Sequence, residues 1–156
     1  MQGQIAWPPL TQLGVAQAHA AAETLAPRAP TRVMSSDLRR ASDTAAIIGR
    51  RLGVTVEHAA LLRERCWGIF EAKPVDEGHR AASLLSAEEP VPQGESRSDV
   101  AQRLRLFMTG LTAVSGPVVV VTHGDVIREA IELWSPEREG ETDPVNGCVI
   151  PILVDL

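Results

Sequence analysis

The chain has 156 residues, the size of one ordinary domain, and its 44% hydrophobic and 22% charged residues argue against disorder. Its net charge of −5 argues against a nucleic-acid partner, and no apolar stretch is long enough to span a membrane. The N-terminus lacks a secretion signal, and the two cysteines, Cys66 and Cys148, lack the C-x-x-C spacing of a metal or redox site. We therefore expect a single cytoplasmic domain over residues 1–156, with reduced thiols and no metal site.

The first half of the chain predicts two helices and two strands. Thr11 is placed to cap a helix that Pro27 ends. "TRVMSS" (31–36) predicts a short strand, and apolar residues spaced by threes and fours predict a second helix that Gly53 closes. "VTVEHAALL" (54–62) alternates like a strand and leads into a loop.

The second half begins with an acidic, proline-bounded segment, residues 75–93, which predicts a helical insertion with a loop. Ser96 and Asp99 have capping-box spacing at the start of another helix. "PVVVVTH" (117–123) is the most buried-looking strand, and "NGCVIPILVDL" (146–156) predicts a last strand opened by an Asn-Gly turn.

The alternation of strands and helices predicts an α/β fold, a three-layer sandwich with a mostly parallel central sheet flanked by helices. The pattern begins with a helix, and no strand precedes it to start the sheet.

His123 is the first candidate functional residue, because it stands at the carboxyl end of the valine strand and before a helix. Ligands bind at that edge of open α/β sheets, and the N–H groups that open a helix favour anions. A satisfied core histidine is an equally good interpretation of this residue alone.

Two further candidates are charged. Arg40 lies in the first turn of the second helix, where the macrodipole disfavours a cation, and a bound anion would offset that cost. On this pattern alone, however, a surface pair with Asp37 or Asp43 is favoured. Glu64 lies in "LLRERCWG", and taken alone it is best interpreted as a solvated loop charge.

Five segments together resemble the histidine phosphatase superfamily, the phosphoglycerate-mutase-like proteins. "SSDLRRASDTA" is similar to the family's S-x-L-x-R-A-x-x-T-A segment, and "LRERCWGIFEAKP" to its L-x-E-x-x-[FY]-G-x-[WF]-E-G-K segment, with Trp67 and Ala72 as departures. "GES" (94–96), "VVTHGDVIR" (120–128) and "NGCV" (146–149) come next, in the family's order. The resemblance covers nearly the whole chain.

The resemblance implies a phosphomonoester hydrolase that acts on a small phosphorylated metabolite and needs no metal or organic cofactor. Arg40, His123 and Gly124 would bind the phosphoryl group. Glu64 would be the acid that protonates the leaving oxygen and then the base that activates water. Catalytic roles thus fall to Glu64 and His123.

The family's nucleophile is the histidine of an Arg-His-Gly signature at the end of its first strand, and this chain contains no such signature. We therefore expect the chain to be N-terminally truncated and, as it stands, inactive. Loss of an inner strand would leave about five backbone groups unpaired, at ~1–3 kcal/mol each if they stay buried.

Three other interpretations remain open. The first is a pseudoenzyme that binds phosphate without chemistry, and the second is a phosphoglycerate mutase. Phosphatase is preferred over mutase because the segment 75–93 is short and acidic, whereas the resemblance implies a longer chain with a basic insertion for a mutase. An unrelated α/β nucleotide-binding module ranks last, because neither G-x-G-x-x-G nor G-x-x-x-x-G-K-[ST] occurs. The substrate and the oligomeric state stay undetermined.

Overall fold

The computed structural model describes residues 1–111, 116–138 and 144–154. Its sheet has three parallel strands, β1 (Arg32–Ser35), β2 (Val56–His58) and β3 (Val118–Val121), in the order β2-β1-β3. Val33 of β1 lies beside Val56 on one neighbour and Val119 on the other. The parallel α/β fold predicted from the alternation is confirmed.

Helices cover both faces of this sheet and form the outer layers. The helices are α1 (Gln12–Leu25), α2 (Arg39–Leu52), α3 (Val75–Ala82), α4 (Arg97–Thr109) and α5 (Gly124–Trp134). Helices α1 and α2 share one apolar core with Val33, whereas α4 and α5 share a second core against which Met34 packs. Adjacent residues of β1 thus point to opposite faces, as the pleat of a strand requires.

Local signals set the ends of these helices. The Thr11 hydroxyl accepts the N–H of Gly14 at 3.1 Å and begins α1. Ser96 and Asp99 form a reciprocal capping box at the start of α4. Gly53 ends α2 with φ +69°, a left-handed conformation that suits glycine. All three boundaries agree with the sequence.

Strand β3 is less buried than its four valines predict. Val120 is 37% exposed, whereas Val33 in the central strand is fully buried. The reason is the strand order: within the described residues β3 pairs only with β1 and is an edge strand. The prediction that it is the most buried strand was wrong.

Two other strand predictions need correction. The segment 54–62 forms only three strand residues, because Ala59 donates the last bond to Ser35 and Ala60–Leu62 then turns in a 3-10 helix. The predicted last strand, 146–156, is absent over 146–154, and residues 155–156 lie outside the described part. Its Asn-Gly turn does form, with Gly147 at φ +80°, but no described strand pairs with residues 148–154.

No helix among the described residues combines the length and the hydropathy that a membrane crossing requires.

Candidate active site

The predicted site residues lie at the carboxyl edge of the sheet. Ser36 follows β1, Glu64 lies in the loop beyond β2, and His123 follows β3. Because the strands are parallel, these ends meet at one edge, where α/β sheets bind their ligands. Two bonds tie the edge together: Ser36 donates its N–H to Val121, and the Thr122 hydroxyl donates to the carbonyl of Leu62.

His123 is buried at the N-cap position of α5, with 8% of its surface exposed. Its Nε2 lies 2.9 Å from the Oγ of the fully buried Ser36. Burial and, to a smaller extent, the cations Arg40 and Arg103 lower the pKa of the imidazole to about 3. The ring is therefore neutral at pH 7. It is a hydrogen-bonded histidine at a ligand-binding edge, so it combines both interpretations that the sequence left open.

Glu64 is not the solvated loop charge that its sequence context favoured. Its carboxyl group accepts the backbone N–H of Arg65 at 2.9 Å and interacts with the backbone of Asp125 in the first turn of α5. Burial and, after it, the charge of Asp125 raise the pKa of Glu64 to about 7, while these two backbone groups and Arg40 oppose the rise. A carboxyl group that holds its proton near neutral pH therefore lies against the N-terminus of α5.

Arg40 does not form the surface pair that its position in α2 favoured. Asp37 pairs with Arg63, and Asp43 pairs with Arg39. The Arg40 guanidinium instead turns toward the N-terminal loop, where Nη1 donates to the carbonyl of Ile5 at 2.9 Å and Nη2 to that of Gly3 at 2.7 Å. Burial lowers its pKa, against the opposing charges of Glu64 and Glu71.

Electrostatic interactions link Arg40 to the two other predicted side chains. Arg40 acts on the protonation of both Glu64 and His123. Gly124 is the first residue of α5 and follows His123 directly. A Cβ added to Gly124 would meet only Arg128 Nη1, at 3.6 Å, so the described structure gives no steric reason for glycine there.

Several residues around the site were missed by the sequence analysis. Ser36 bonds His123, the charge of Asp125 acts on Glu64, and Trp67 donates its indole N–H to Asp125 at 2.9 Å. Arg65 is buried with its guanidinium 4.8 Å from the centre of the Trp67 ring. The signal for Asp125 was available, since it lies in the first turn of the helix that follows the candidate His123. The others depend on contacts between distant segments.

The site combines a neutral imidazole, a guanidinium, a carboxyl group that can donate a proton and the N-terminus of a helix. Together these groups suit a tetrahedral oxyanion. Within the described segments, no group of three histidine, cysteine, aspartate or glutamate side chains could hold a metal ion.

The sequence is similar to proteins of two kinds. Glucosyl-3-phosphoglycerate phosphatase of Mycobacterium tuberculosis is 40% identical over 143 residues, which are 81% of this chain and 64% of that protein. "Probable phosphoglycerate mutase GpmB" of Yersinia pestis is 33% identical over 126 residues, covering 74% of this chain and 58% of that protein. This chain therefore spans less than two thirds of the length of these relatives.

Solved structures show the same likeness in three dimensions. A mycobacterial glucosyl-3-phosphoglycerate phosphatase in complex with inorganic phosphate superposes with a TM-score of 0.77 at 38% identity, over 86% of this chain and 72% of that one. The sequence profile of the histidine phosphatase superfamily (branch 1) matches residues 1–148. The chain thus belongs to the histidine phosphatase superfamily.

Proposed function

We propose that this chain, one domain over residues 1–156, carries the phosphate-binding and proton-donating part of a phosphomonoester hydrolase. The observation that carries the proposal is the burial of the Glu64 carboxyl group, which raises its pKa to about 7 and places it where the charge of Arg40 acts on both Glu64 and His123. Arg40, His123 and the backbone at Gly124 bind the phosphoryl oxygens. Glu64 and His123 are the catalytic residues.

In the proposed reaction a histidine nitrogen attacks phosphorus, and the bond between phosphorus and the ester oxygen breaks. The bonding electrons stay on that oxygen, which takes the proton of Glu64 and leaves as an alcohol. Water then attacks the phosphohistidine, gives one proton to the Glu64 carboxylate and releases phosphate. Glu64 thus recovers its proton, and no other group changes its charge over the cycle.

The proposal places the attacking histidine in a segment outside residues 1–156. The three remaining histidines of the chain are exposed, on α1 (His19), on β2 (His58) and on α3 (His79), whereas His123 is already bonded to Ser36. The proposal therefore assigns the phosphohistidine to a further histidine at the carboxyl edge of the sheet. By itself, the chain is expected to bind phosphate and to hydrolyse esters at a negligible rate.

The proposed substrate is a small phosphorylated metabolite. Relatives carry the names glucosyl-3-phosphoglycerate phosphatase and probable phosphoglycerate mutase, and the compounds in both names are small phosphorylated acids. We favour phosphatase over mutase because the segment 75–93 is short and lacks the basic insertion expected of a mutase, and Asp76 and Glu77 make the first turn of its exposed helix α3 acidic. A cytoplasmic location is part of the proposal, and the free thiols of Cys66 and Cys148 support it.

A binding protein without catalysis is the second candidate. In its favour, two N–H groups of Arg40 already bond backbone carbonyls and Nε2 of His123 already bonds Ser36, so the pocket is satisfied without substrate. Such a module would bind phosphate, and a longer protein that contains this chain would still not hydrolyse phosphate esters.

The test compares this chain with the product of the longest open reading frame that contains it. We expect calorimetry to show phosphate binding to both proteins, and we expect only the longer one to hydrolyse p-nitrophenyl phosphate and form an acid-labile phosphohistidine. His123→Asn should abolish phosphate binding, and His58→Asn on β2 is the matched control that should not. Phosphate binding without hydrolysis by the longer protein would favour the binding module, and no phosphate binding by either would contradict the proposal.

A further inference from the structure

Trp67 links the loop of Glu64 to helix α5. Its ring is almost fully buried, and its Nε1 donates to Oδ2 of Asp125 at 2.9 Å. The Arg65 guanidinium lies over the ring, and the His79 ring centre lies 5.5 Å from it. Because the ring is buried and is contacted by Arg65 and His79, its N–H has a fixed position. Asp125 therefore meets a rigid donor.

Asp125 is held on both of its carboxylate oxygens. Oδ2 accepts the Trp67 indole, and Oδ1 accepts Nη1 of Arg128 at 2.8 Å. The backbone of the same residue also interacts with the carboxyl group of Glu64 and lowers its pKa, whereas the charge of the Asp125 side chain raises it. Asp125 thus contacts Glu64 through its main chain while two donors from different elements fix its side chain.

Two neighbouring carboxyl groups cannot both be charged without a large repulsion. Both oxygens of Asp125 accept hydrogen bonds, and Asp125 lies in the first turn of a helix, where a negative charge is favoured. The carboxyl group of Glu64 is desolvated instead. This asymmetry favours the protonated form of Glu64.

We propose that Trp67 and Asp125 are a pair of positioning residues that keep the proton on Glu64 until a leaving oxygen takes it. This inference rests on the proposed function, in which Glu64 is the acid. An alkoxide is a poor leaving group unless it is protonated. An acid that is still protonated at neutral pH therefore accelerates hydrolysis most for alkyl phosphate esters.

Other charged groups interact with Glu64 or with its neighbours. Arg40 on α2 opposes the effect of Asp125, and Glu71 acts on Arg40. The side chain of Arg65, next to Glu64 in the chain, lies over Trp67 and interacts with Asp125. None of these groups changes in the variants that test the pair.

The experiment follows the carboxyl carbon of Glu64 by NMR through a pH titration of the chain without substrate, with Glu64→Gln to assign the signal. In Asp125→Asn the amide oxygen can still accept the Trp67 N–H, but the negative charge is lost. We expect the pKa of Glu64 to fall from about 7 by on the order of one pH unit. Asp125→Glu should restore it. Trp67→Phe should lower it by less.

Asp76→Asn is the matched control, because it removes an exposed carboxylate of α3 and should leave the Glu64 titration unchanged. An unchanged Glu64 pKa in Asp125→Asn, with wild-type thermal unfolding, overturns the inference. An unchanged or higher value in Trp67→Phe overturns the role of Trp67. Sulfate binding is measured on the same samples. If the pKa of Glu64 falls in Asp125→Asn but sulfate does not bind to the wild-type chain, the result supports the pair and contradicts the proposed function. If sulfate binds but the pKa of Glu64 does not change, the result contradicts the pair alone.

Discussion

His123 and Ser36 share a buried hydrogen bond, with Nε2 and Oγ 2.9 Å apart, although 87 residues separate them in sequence. Ser36 Oγ also accepts the N–H of Leu38 at 3.2 Å, which orients the hydroxyl. The bond joins the ends of β1 and β3 and fixes the imidazole at the carboxyl edge of the sheet. Any anion that binds His123 at Nε2 must displace this serine.

Anion binding should be coupled to proton uptake by His123. The pKa of the imidazole is about 3 in the free protein, and a bound anion would raise it, so the complex carries more protons. Sulfate affinity should therefore rise as the pH falls from 6 to 4, by at most about tenfold per pH unit. Sulfate keeps its charge in this range, and Glu64 is already protonated there, so calorimetric titration isolates the histidine. A flat profile would contradict the role given to His123.

Glu64→Gln should stabilise the protein at neutral and alkaline pH. The folded-state pKa of Glu64 is about 7, above its usual 4.5, so the stability it contributes is present below pH 4.5 and is lost as the pH rises through 7. We expect a gain of about 2–3 kcal/mol in the free energy of unfolding at pH 8 and little change at pH 4. Urea unfolding at both pH values checks this. Equal effects at the two values would show that Glu64 is not desolvated.

Arg40→Gln should weaken both the fold and the anion site. Its guanidinium donates to the carbonyls of Gly3 and Ile5, and loss of these bonds should lower the free energy of unfolding by about 2–3 kcal/mol. Sulfate affinity should fall at least about tenfold, as expected for one charge-assisted contact.

Arg39→Gln is the matched control, because Arg39 adjoins Arg40 but its side chain is exposed and pairs with Asp43 in its own helix. Its unfolding free energy should stay within about 0.5 kcal/mol of wild type. If Arg40→Gln is destabilised while its sulfate affinity is unchanged, Arg40 anchors the N-terminal loop and does not bind the anion.

Glu95 and Arg103 should act as one unit that holds the loop of Glu64. Arg103 donates to both Glu95 oxygens, at 2.9 and 3.2 Å, and to the carbonyl of Leu61, while Glu95 accepts the N–H of Cys66. Each single change, Glu95→Gln or Arg103→Gln, should cost about 2–3 kcal/mol, with a coupling of about 1–2 kcal/mol in the double variant. Chemical unfolding of the wild type, the two single variants and the double variant completes this double-mutant cycle.

Arg105→Gln, an exposed change on the same helix, should cost less than about 0.5 kcal/mol. Additive single effects in the Glu95 and Arg103 cycle would mean that the two residues contribute independently to stability.

The fold was predictable from the sequence wherever a local signal was strong. Thr11, Gly53 and the pair of Ser96 and Asp99 mark helix ends through contacts within a few residues, and the structure has the ends there. The strands were harder, because their length and burial depend on neighbours. Four valines in succession predicted deep burial, but strand order makes β3 an edge.

The candidate site shows the same division. Glu64 and Arg40 were best interpreted as surface charges when taken alone, and only the resemblance to a family suggested otherwise. Their burial arises from contacts with Asp125, Gly3 and Ile5, which lie 35 to 61 residues away along the chain. Side-chain hydrogen bonds such as that of Trp67 with Asp125 leave no periodic pattern, so sequence reasoning could not have found them.

The central claim is that Arg40, Glu64 and His123 surround one tetrahedral oxyanion. A crystal structure of this chain soaked with vanadate or phosphate tests it most directly. We predict an anion whose oxygens bond Nε2 of His123 and the guanidinium of Arg40, with the Glu64 carboxyl group within hydrogen-bond distance of one oxygen. An empty site at saturating anion, or an anion bound away from all three side chains, would contradict the account.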